Sequence, residues 1–367
     1  MGSVEVPKKH KACVYDNPGT ISTKVEEIDT PEPGPGEVLV NLTHSGVCHS
    51  DLVVMTNSWR MLPYPTQPGQ VGGHEGIGTI ASFGPGNDSS PLKIGDRVGI
   101  KWVASACGSC PPCFAGVDAN CTSGKVSGYY YPGTFQQYAV APAHYVTPIP
   151  EGLASDMAAP MLCGGLTVYS ALKKCRAEPG DWVVIVGASG GLGHLAVQIA
   201  AKGMGFRVIG TDVGAKEKLV KDCGAEFFLD VTKFEKGEKG TQDMGKQIRD
   251  LAGGFGAAAV LVCVGSNAAY AQALDFLRYK GTLVCVGVPE HDPQPIADAY
   301  PDKMIAKQLN IVGSAVGSRK EAIETLDMAA RGVVKTHFRV EKMEGLTKIF
   351  EELHEGKLMG RVVLDLS

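Results

Sequence analysis

The densest hydrophobic signal in the chain is Val183–Val186, four β-branched residues in succession, and the pattern changes period directly after it. A continuous β-branched run reads as a strand covered on both faces. Gly187, Gly190, Gly191 and Gly193 follow, and Leu192, Leu195, Ala196, Ile199 and Ala200 recur at helical spacing. A second strand-like run starts at Phe206 and ends at Asp212. The stretch Val183–Asp212 therefore predicts a βαβ unit. Four more strand candidates come later, at Ala225–Leu229, Ala258–Val264, Thr282–Gly287 and Asn310–Gly313, with helical segments between several of them. Six strands at this spacing predict a doubly wound parallel sheet. Arg319–Arg331 and Leu346–Leu353 read as helices and Arg361–Leu366 as a last strand, while the charged stretch Lys233–Lys246 reads as a solvated loop or helix face.

The part before residue 150 has a different texture. Short alternating runs at Lys11–Tyr15, Glu37–His44, Gly76–Phe83, Asp96–Ile100, Phe135–Ala141 and Tyr145–Ile149 predict strands. Turn-rich segments such as Pro31–Glu37 separate them. Glu151–Pro160 reads as a connection and a short helix. The fold class is α/β, with an irregular β-rich domain preceding a doubly wound one.

The glycine turn carries chemistry. Glycines let the backbone approach a pyrophosphate, and a helix N-terminus offers it free N–H groups and partial positive charge. An acid about 20 positions on can bond adenosine ribose hydroxyls. Asp212 stands there, and its charge would repel a 2′-phosphate, so NAD is favoured over NADP.

Composition narrows the picture. At 367 residues the chain is long enough for about two domains. A net charge of −4 argues against a nucleic-acid surface. No apolar run reaches the length of a membrane span. The start, MGSVEVPKKHK, lacks the apolar centre of a secretory signal, and although Gly2 is compatible with myristoylation, a small residue there is commonplace. A cytoplasmic protein is expected. Its 11 cysteines then read as thiols and metal ligands rather than a disulfide framework. Cys107, Cys110, Cys113 and Cys121 lie in one Gly/Pro-rich segment and suit a closed, structural tetrahedral zinc, the alternatives being disulfides or unpaired thiols. Cys48, His74 and Cys163 are also of the types zinc prefers, but spacing alone does not bring them together.

Taken in order, GVCHSD, VGGHEGIG, the four-cysteine segment, SGYYYPGTFQQYAV, MLCGGLTVY, GASGGLG and MGRVV resemble the zinc-containing medium-chain alcohol dehydrogenases over nearly the whole chain, most closely the yeast and fungal tetrameric type. The resemblance implies a GroES-like catalytic domain, residues 1–159 completed by 310–367, and a Rossmann NAD-binding domain, 160–309, with the active site in the cleft. It implies that Cys48, His74 and Cys163 bind a catalytic zinc and the four-cysteine segment a structural one. Glu75 would lie behind the catalytic metal and Asp51 would orient His74. His49 and Arg361 match pyrophosphate contacts, and Asp212 and Lys216 match ribose contacts. Gly187, Gly190, Gly191, Leu192 and Gly193 form the dinucleotide turn. Thr167, Val264, Val286 and Val288 match positions near the cofactor, and Trp59, Trp102 and Val288 match pocket walls. Ser50 matches the hydroxyl that takes the alcohol proton. A small-molecule alcohol or aldehyde substrate and a homotetramer, with a homodimer as the second option, are implied.

Two departures stand out. Many relatives carry a relay histidine five residues after the first zinc cysteine; this chain has Val53. Val288 replaces a methionine found in yeast-type enzymes that favour ethanol, and Arg60–Thr66 is unlike the corresponding stretch. Together they suggest a substrate bulkier than ethanol, against a repacked pocket with unchanged preference. The competing functions are an aldehyde reductase of a specialised or aromatic-alcohol pathway, a zinc-free quinone reductase, against which the four cysteines argue, and a non-catalytic nucleotide- and metal-binding protein.

Overall fold

The 11-residue strand Glu37–Val47 organises the first of two units. In this computed structural model the described residues are 5–59, 62–87, 90–290 and 292–367; Gly2, Arg60 and Met61 of the sequence arguments lie outside them. The first unit comprises Met1–Leu166, Gly317–Ala330 and Phe338–Ser367, the second Thr167–Val316 and Arg331–His337.

In the first unit Glu37–Val47 pairs antiparallel with Gly76–Phe83, Tyr138–Pro142 and Arg361–Asp365. The last of these is therefore a strand of the N-terminal sheet, contributed from the far end of the sequence. Arg97–Ile100 and Thr147–Pro148 extend the sheet on one side and Phe338–Lys342 on the other. A smaller sheet joins Thr23–Asp29, Lys9–Tyr15 and Gln70–Val71. Alternate residues Val38, Val40 and Leu42 face a core shared with Ile80, Phe135, Val362 and Leu364. Leu346, Ile349 and Phe350 close it from the helix Leu346–His354, at the i, i+3, i+4 spacing of one helix face. Regular pairing begins at Tyr138 rather than Phe135, because Phe135 O and Gln137 N bond to the first strand at Cys13 N and Lys11 O instead.

The second unit is a six-stranded parallel sheet in the spatial order Phe227–Asp230, Arg207–Asp212, Trp182–Val186, Ala257–Val262, Leu277–Cys285, Asn310–Gly313. Numbered along the chain this is 3-2-1-4-5-6, the Rossmann order. Every residue of Ala257–Val262 is buried, which accounts for the continuous apolar run. Most of Lys233–Lys246 enters the helix Glu238–Leu251, which turns Met244 and Ile248 inward and leaves its charges outside. Among the described residues no helix is long and apolar enough to cross a membrane.

Candidate active site

Three remote segments deliver Cys48, His74 and Cys163 to one place. Cys48 follows the Glu37–Val47 strand and caps the helix His49–Met55. His74 follows the short strand Gln70–Val71, and Cys163 follows a 3₁₀ turn, Ala159–Leu162, just before the helix Gly164–Lys174. The ligand atoms of Cys48, His74, Glu75 and Cys163 all lie within 4.8 Å of one another, and all four residues are buried.

Asp51 ties this group together. Its Oδ1 lies 2.7 Å from His74 Nδ1, and its Oδ2 accepts the Cys48 amide at 2.9 Å. In the neutral ring an acceptor on Nδ1 places the proton there and leaves Nε2 as a lone pair. His74 Nε2 is buried with no hydrogen-bond partner. Such an atom is costly unless something electrophilic meets it. Beside it are two thiols that share one hydrogen bond. The Cys48 thiol is held well below its usual range, first by the bond from Cys163 and further by His74 and Arg361, while the same bond and burial push Cys163 up.

Glu75 and Arg361 form the floor. Both Glu75 oxygens lie 2.5 Å from Arg361 Nη2, in a pair that is almost wholly buried. Burial pushes the Glu75 carboxyl up to about 7, against the pull of Arg361. Gly46 admits this carboxylate: a Cβ there would stand 1.9 Å from Glu75 Oε2. Nothing in the sequence pattern singles out Gly46, whose role appears only when residue 75 is folded over it.

The surroundings are aromatic on one side. The Trp102 ring meets the His74 ring edge-on at 4.8 Å, and Trp59 meets Trp102 edge-on at 6.0 Å. Ser50 is half-buried, His49 is exposed and Val53 is fully buried.

The four-cysteine segment forms a separate group, again with all sulfurs within 4.8 Å. Cys110 Sγ lies 3.5 Å from Cys113 Sγ and 3.8 Å from Cys121 Sγ. Sulfurs at the corners of a tetrahedron with Zn–S of about 2.3 Å stand about 3.8 Å apart. Backbone amides also point at the sulfurs: Cys107 N donates to Cys121 Sγ at 3.2 Å, and Ser109 N to Cys107 Sγ at 3.5 Å. All 11 cysteines are free, so disulfides are absent.

In the second unit the glycine turn is packed backbone to backbone. A Cβ at Gly193 would lie 2.0 Å from Gly187 O, and one at Gly187, whose φ is +77°, would lie 2.3 Å from Val264 Cγ1. Only glycine fits either position. Asp212 is drawn onto this turn, its Oδ2 accepting from Ser189 N at 2.9 Å and Ser189 Oγ at 2.7 Å. Lys216 ends a 3₁₀ turn just beyond. Tyr270 Oη donates to Gly287 O at 2.5 Å and accepts from Val286 N at 3.1 Å, fixing the loop that carries Val286 and Val288. Val288 is 42 % exposed, and Thr167 is half-buried on the helix Gly164–Lys174.

Comparison with known proteins agrees with this geometry. The family model described as Zinc-binding dehydrogenase matches residues 191–331, and that described as Alcohol dehydrogenase GroES-like domain matches residues 34–151. The chain belongs to the zinc-containing alcohol dehydrogenase family. It is 64 % identical to Alcohol dehydrogenase 2 of Emericella nidulans over 368 aligned positions, covering 100 % of both chains. It is 42 % identical to an alcohol dehydrogenase of Schizosaccharomyces pombe, covering 99 % of each. Among solved structures, acetophenone reductase of Geotrichum candidum in complex with NAD is 29 % identical, with a TM-score of 0.81 over 99 % of this chain and 98 % of that one. Membership makes this alcohol dehydrogenase an oxidoreductase acting on alcohols. Its two cysteine-containing groups fit the catalytic and structural zinc of the family.

Proposed function

We propose that this alcohol dehydrogenase interconverts alcohols with aldehydes or ketones at the Cys48, His74 and Cys163 site, using NAD, and that its substrate is bulkier than ethanol. The observation that carries the site is His74 Nε2, buried without a partner beside two thiols. Cys48, His74 and Cys163 would hold a zinc ion, which would supply Lewis acidity that lowers the pKa of an alcohol oxygen. The Gly187–Gly193 turn and Asp212 would hold NAD, which would supply the hydride acceptor.

The chain's own residues do the rest. Asp51 holds the His74 ring and its tautomer, so that Nε2 faces the thiols. Ser50, two residues after Cys48, takes the alcohol proton and passes it outward. Val53 offers no further proton carrier, so the relay ends without a side-chain imidazole at that position. Val53→His is expected to raise alcohol oxidation most at low pH; an unchanged pH–rate profile would show that position 53 does not limit proton transfer. Arg361 balances Glu75 beneath the ligands. Thr167, Val264, Val286 and Leu192 shape the cofactor's surroundings.

Trp59 and Trp102 wall the substrate side over His74. Valine at 288 leaves more room than methionine. The Geotrichum relative is named for an aryl ketone, so the same fold accepts a ring in at least one member. In the reverse direction the same groups would serve aldehyde reduction. We further place the protein in the cytoplasm as a homotetramer, on the resemblance to yeast-type enzymes; the alternative is a homodimer, and sedimentation of the purified protein against its 38.6 kDa subunit separates the two.

The test is the initial rate of NAD⁺ reduction over a graded alcohol panel from ethanol to benzyl and cinnamyl alcohols. Higher kcat/KM for the bulky members is expected. A preference for ethanol would overturn the substrate proposal, and no turnover of any alcohol or aldehyde would overturn the site assignment.

A further inference from the structure

A stacked pair of tyrosines lies at the outer edge of the wall over His74. Tyr129 and Tyr64 stack with ring centroids 4.9 Å apart and planes inclined by 16°. The Tyr129 hydroxyl bonds twice to the backbone of that same residue, donating to Tyr64 O at 2.6 Å and accepting from Tyr64 N at 3.0 Å. Tyr130 closes the group edge-on, 4.8 Å from Tyr129 and 5.9 Å from Tyr64.

The sequence around Tyr64 explains why one side chain can hold this segment. It reads Leu62-Pro63-Tyr64-Pro65-Thr66. Prolines have no amide hydrogen, so Tyr64 carries the one N–H of Pro63–Pro65, and that N–H goes to Tyr129. The backbone bends through Leu62–Tyr64, and the two proline rings fix φ at Pro63 and Pro65, which limits the freedom of the stretch. Its far end is fixed separately: Thr66 N donates to Asn57 Oδ1 at 2.7 Å and Thr66 Oγ1 to Val54 O at 2.6 Å. Its near end reaches the wall, where Leu62 N donates to Trp59 O at 3.3 Å.

Tyr129 is itself registered to the opposite wall residue. Ser127, two positions before it, donates its amide to Trp102 O at 2.9 Å and its hydroxyl to Lys101 O at 2.9 Å. One tyrosine thus spans from the backbone beside Trp102 to the strap beside Trp59. Tyr129 itself is 5 % exposed.

We infer that Tyr129 is a specificity-positioning residue: by clamping the Pro63–Pro65 strap it fixes the separation of Trp59 and Trp102, and so the size of alcohol accepted over His74. The inference rests on the assignment of these tryptophans as pocket walls.

The experiment compares Tyr129→Phe, Tyr64→Ala and Trp59→Ala with the parent enzyme on ethanol, benzyl alcohol and cinnamyl alcohol, with zinc content measured on each. Tyr129→Phe keeps the ring and removes both hydrogen bonds. It should retain two zinc ions per chain, hold kcat for benzyl alcohol within about twofold, and raise the cinnamyl-to-ethanol ratio of kcat/KM about fivefold or more, mainly through KM, because loss of a wall contact weakens ground-state and transition-state binding alike. Tyr64→Ala removes the stack and leaves the backbone bonds; it should shift the ratio in the same direction by a smaller factor, and it alone decides the matter if Tyr129→Phe fails to fold. In a Trp182→Phe background the remaining indoles are Trp59 and Trp102, and their emission should change in Tyr129→Phe. An unchanged ratio in both tyrosine variants, with Trp59→Ala shifting it, would overturn the clamp and leave the pocket assignment standing. No shift in any of the three would overturn the pocket assignment itself.

Discussion

The two cysteine groups contain the same chemistry in opposite settings. Cys107, Cys110, Cys113 and Cys121 come from one short segment, and none of them is buried. Apart from a four-residue helix, Pro111–Phe114, and a 3₁₀ turn, Asp118–Asn120, the lobe has little regular structure, and Phe114 at its tip is 76 % exposed. Cys48, His74 and Cys163 come from three segments more than a hundred residues apart in total span, and all are buried. In the lobe the metal would hold the chain: besides it, the sulfurs, a few amides and the contacts of Tyr145 with Cys113, Cys121 and Asp118 fix the loop. In the buried group the chain holds the metal site. Strands, a helix and a 3₁₀ turn bring the ligands together, and Asp51 and the Glu75–Arg361 pair fix them. The same ion is thus a source of local stability in one place and of reactivity in the other.

The largest effect should come from breaking the buried group. Cys163→Ala should leave the fold in place, lower the zinc content from two to one per chain, and reduce turnover by about a thousandfold, the several kcal/mol that a Lewis acid contributes. Full turnover with one zinc would remove this group from the chemistry. Cys113→Ser should do the reverse. Zinc again falls by one, but the loss appears first as stability: cleavage within 107–124 on limited proteolysis, and a melting temperature lower by about 5–10 °C. If the lobe resists protease as well as the parent does, metal is not what orders it.

A milder change tests whether the buried site is held by its surroundings. Asp51→Asn keeps the shape but removes the charge on His74 Nδ1, and zinc should bind the buried group about 10–100-fold more weakly while the lobe keeps its ion. Equal loss from both sites on titration with a chelator would count against a separate role for Asp51.

The smallest effect lies between the two groups. Lys101 precedes Trp102, which packs on His74, and its Nζ donates to Tyr145 O at 2.7 Å and sits 3.9 Å over the Tyr145 ring. Tyr145 in turn packs against the lobe at Cys113 and Cys121. Burial pulls the Lys101 ammonium down to about 7. Between that value and the ordinary lysine range near 10.4 the unfolded chain binds the extra proton, so this group's contribution to stability rises with pH through the window and is lowest below it. Lys101→Met removes that slope. Relative to the parent, the variant's melting temperature should be most favourable at about pH 6 and fall back by about pH 9. A difference independent of pH would show that Lys101 stays charged throughout, held by the carbonyl and the ring.

Much of this was legible in advance because it is local. The continuous β-branched run and the period-3.6 run of Val183–Asp212 fix a βαβ unit whatever surrounds them, and the structure has Trp182–Val186, Gly193–Gln198 and Arg207–Asp212 in that order. Four cysteines within one short loop likewise leave few arrangements. Strand ends were less legible: Phe135 is fully buried and apolar, yet its backbone pairs elsewhere, a choice made by the partner strand and invisible in the run itself.

What the sequence determined alone is therefore the set of elements with a strong period, and the groups whose members are close along the chain. Tertiary structure decided which distant residues meet. Arg361 reaches Glu75 because Arg361–Asp365 joins a sheet begun more than 300 residues earlier, and Gly46 matters because residue 75 folds over it. Tyr129 finds Tyr64 because Ser127 is hung from Trp102. Such contacts depend on sheet pairing and packing across the whole unit, and no local propensity encodes them.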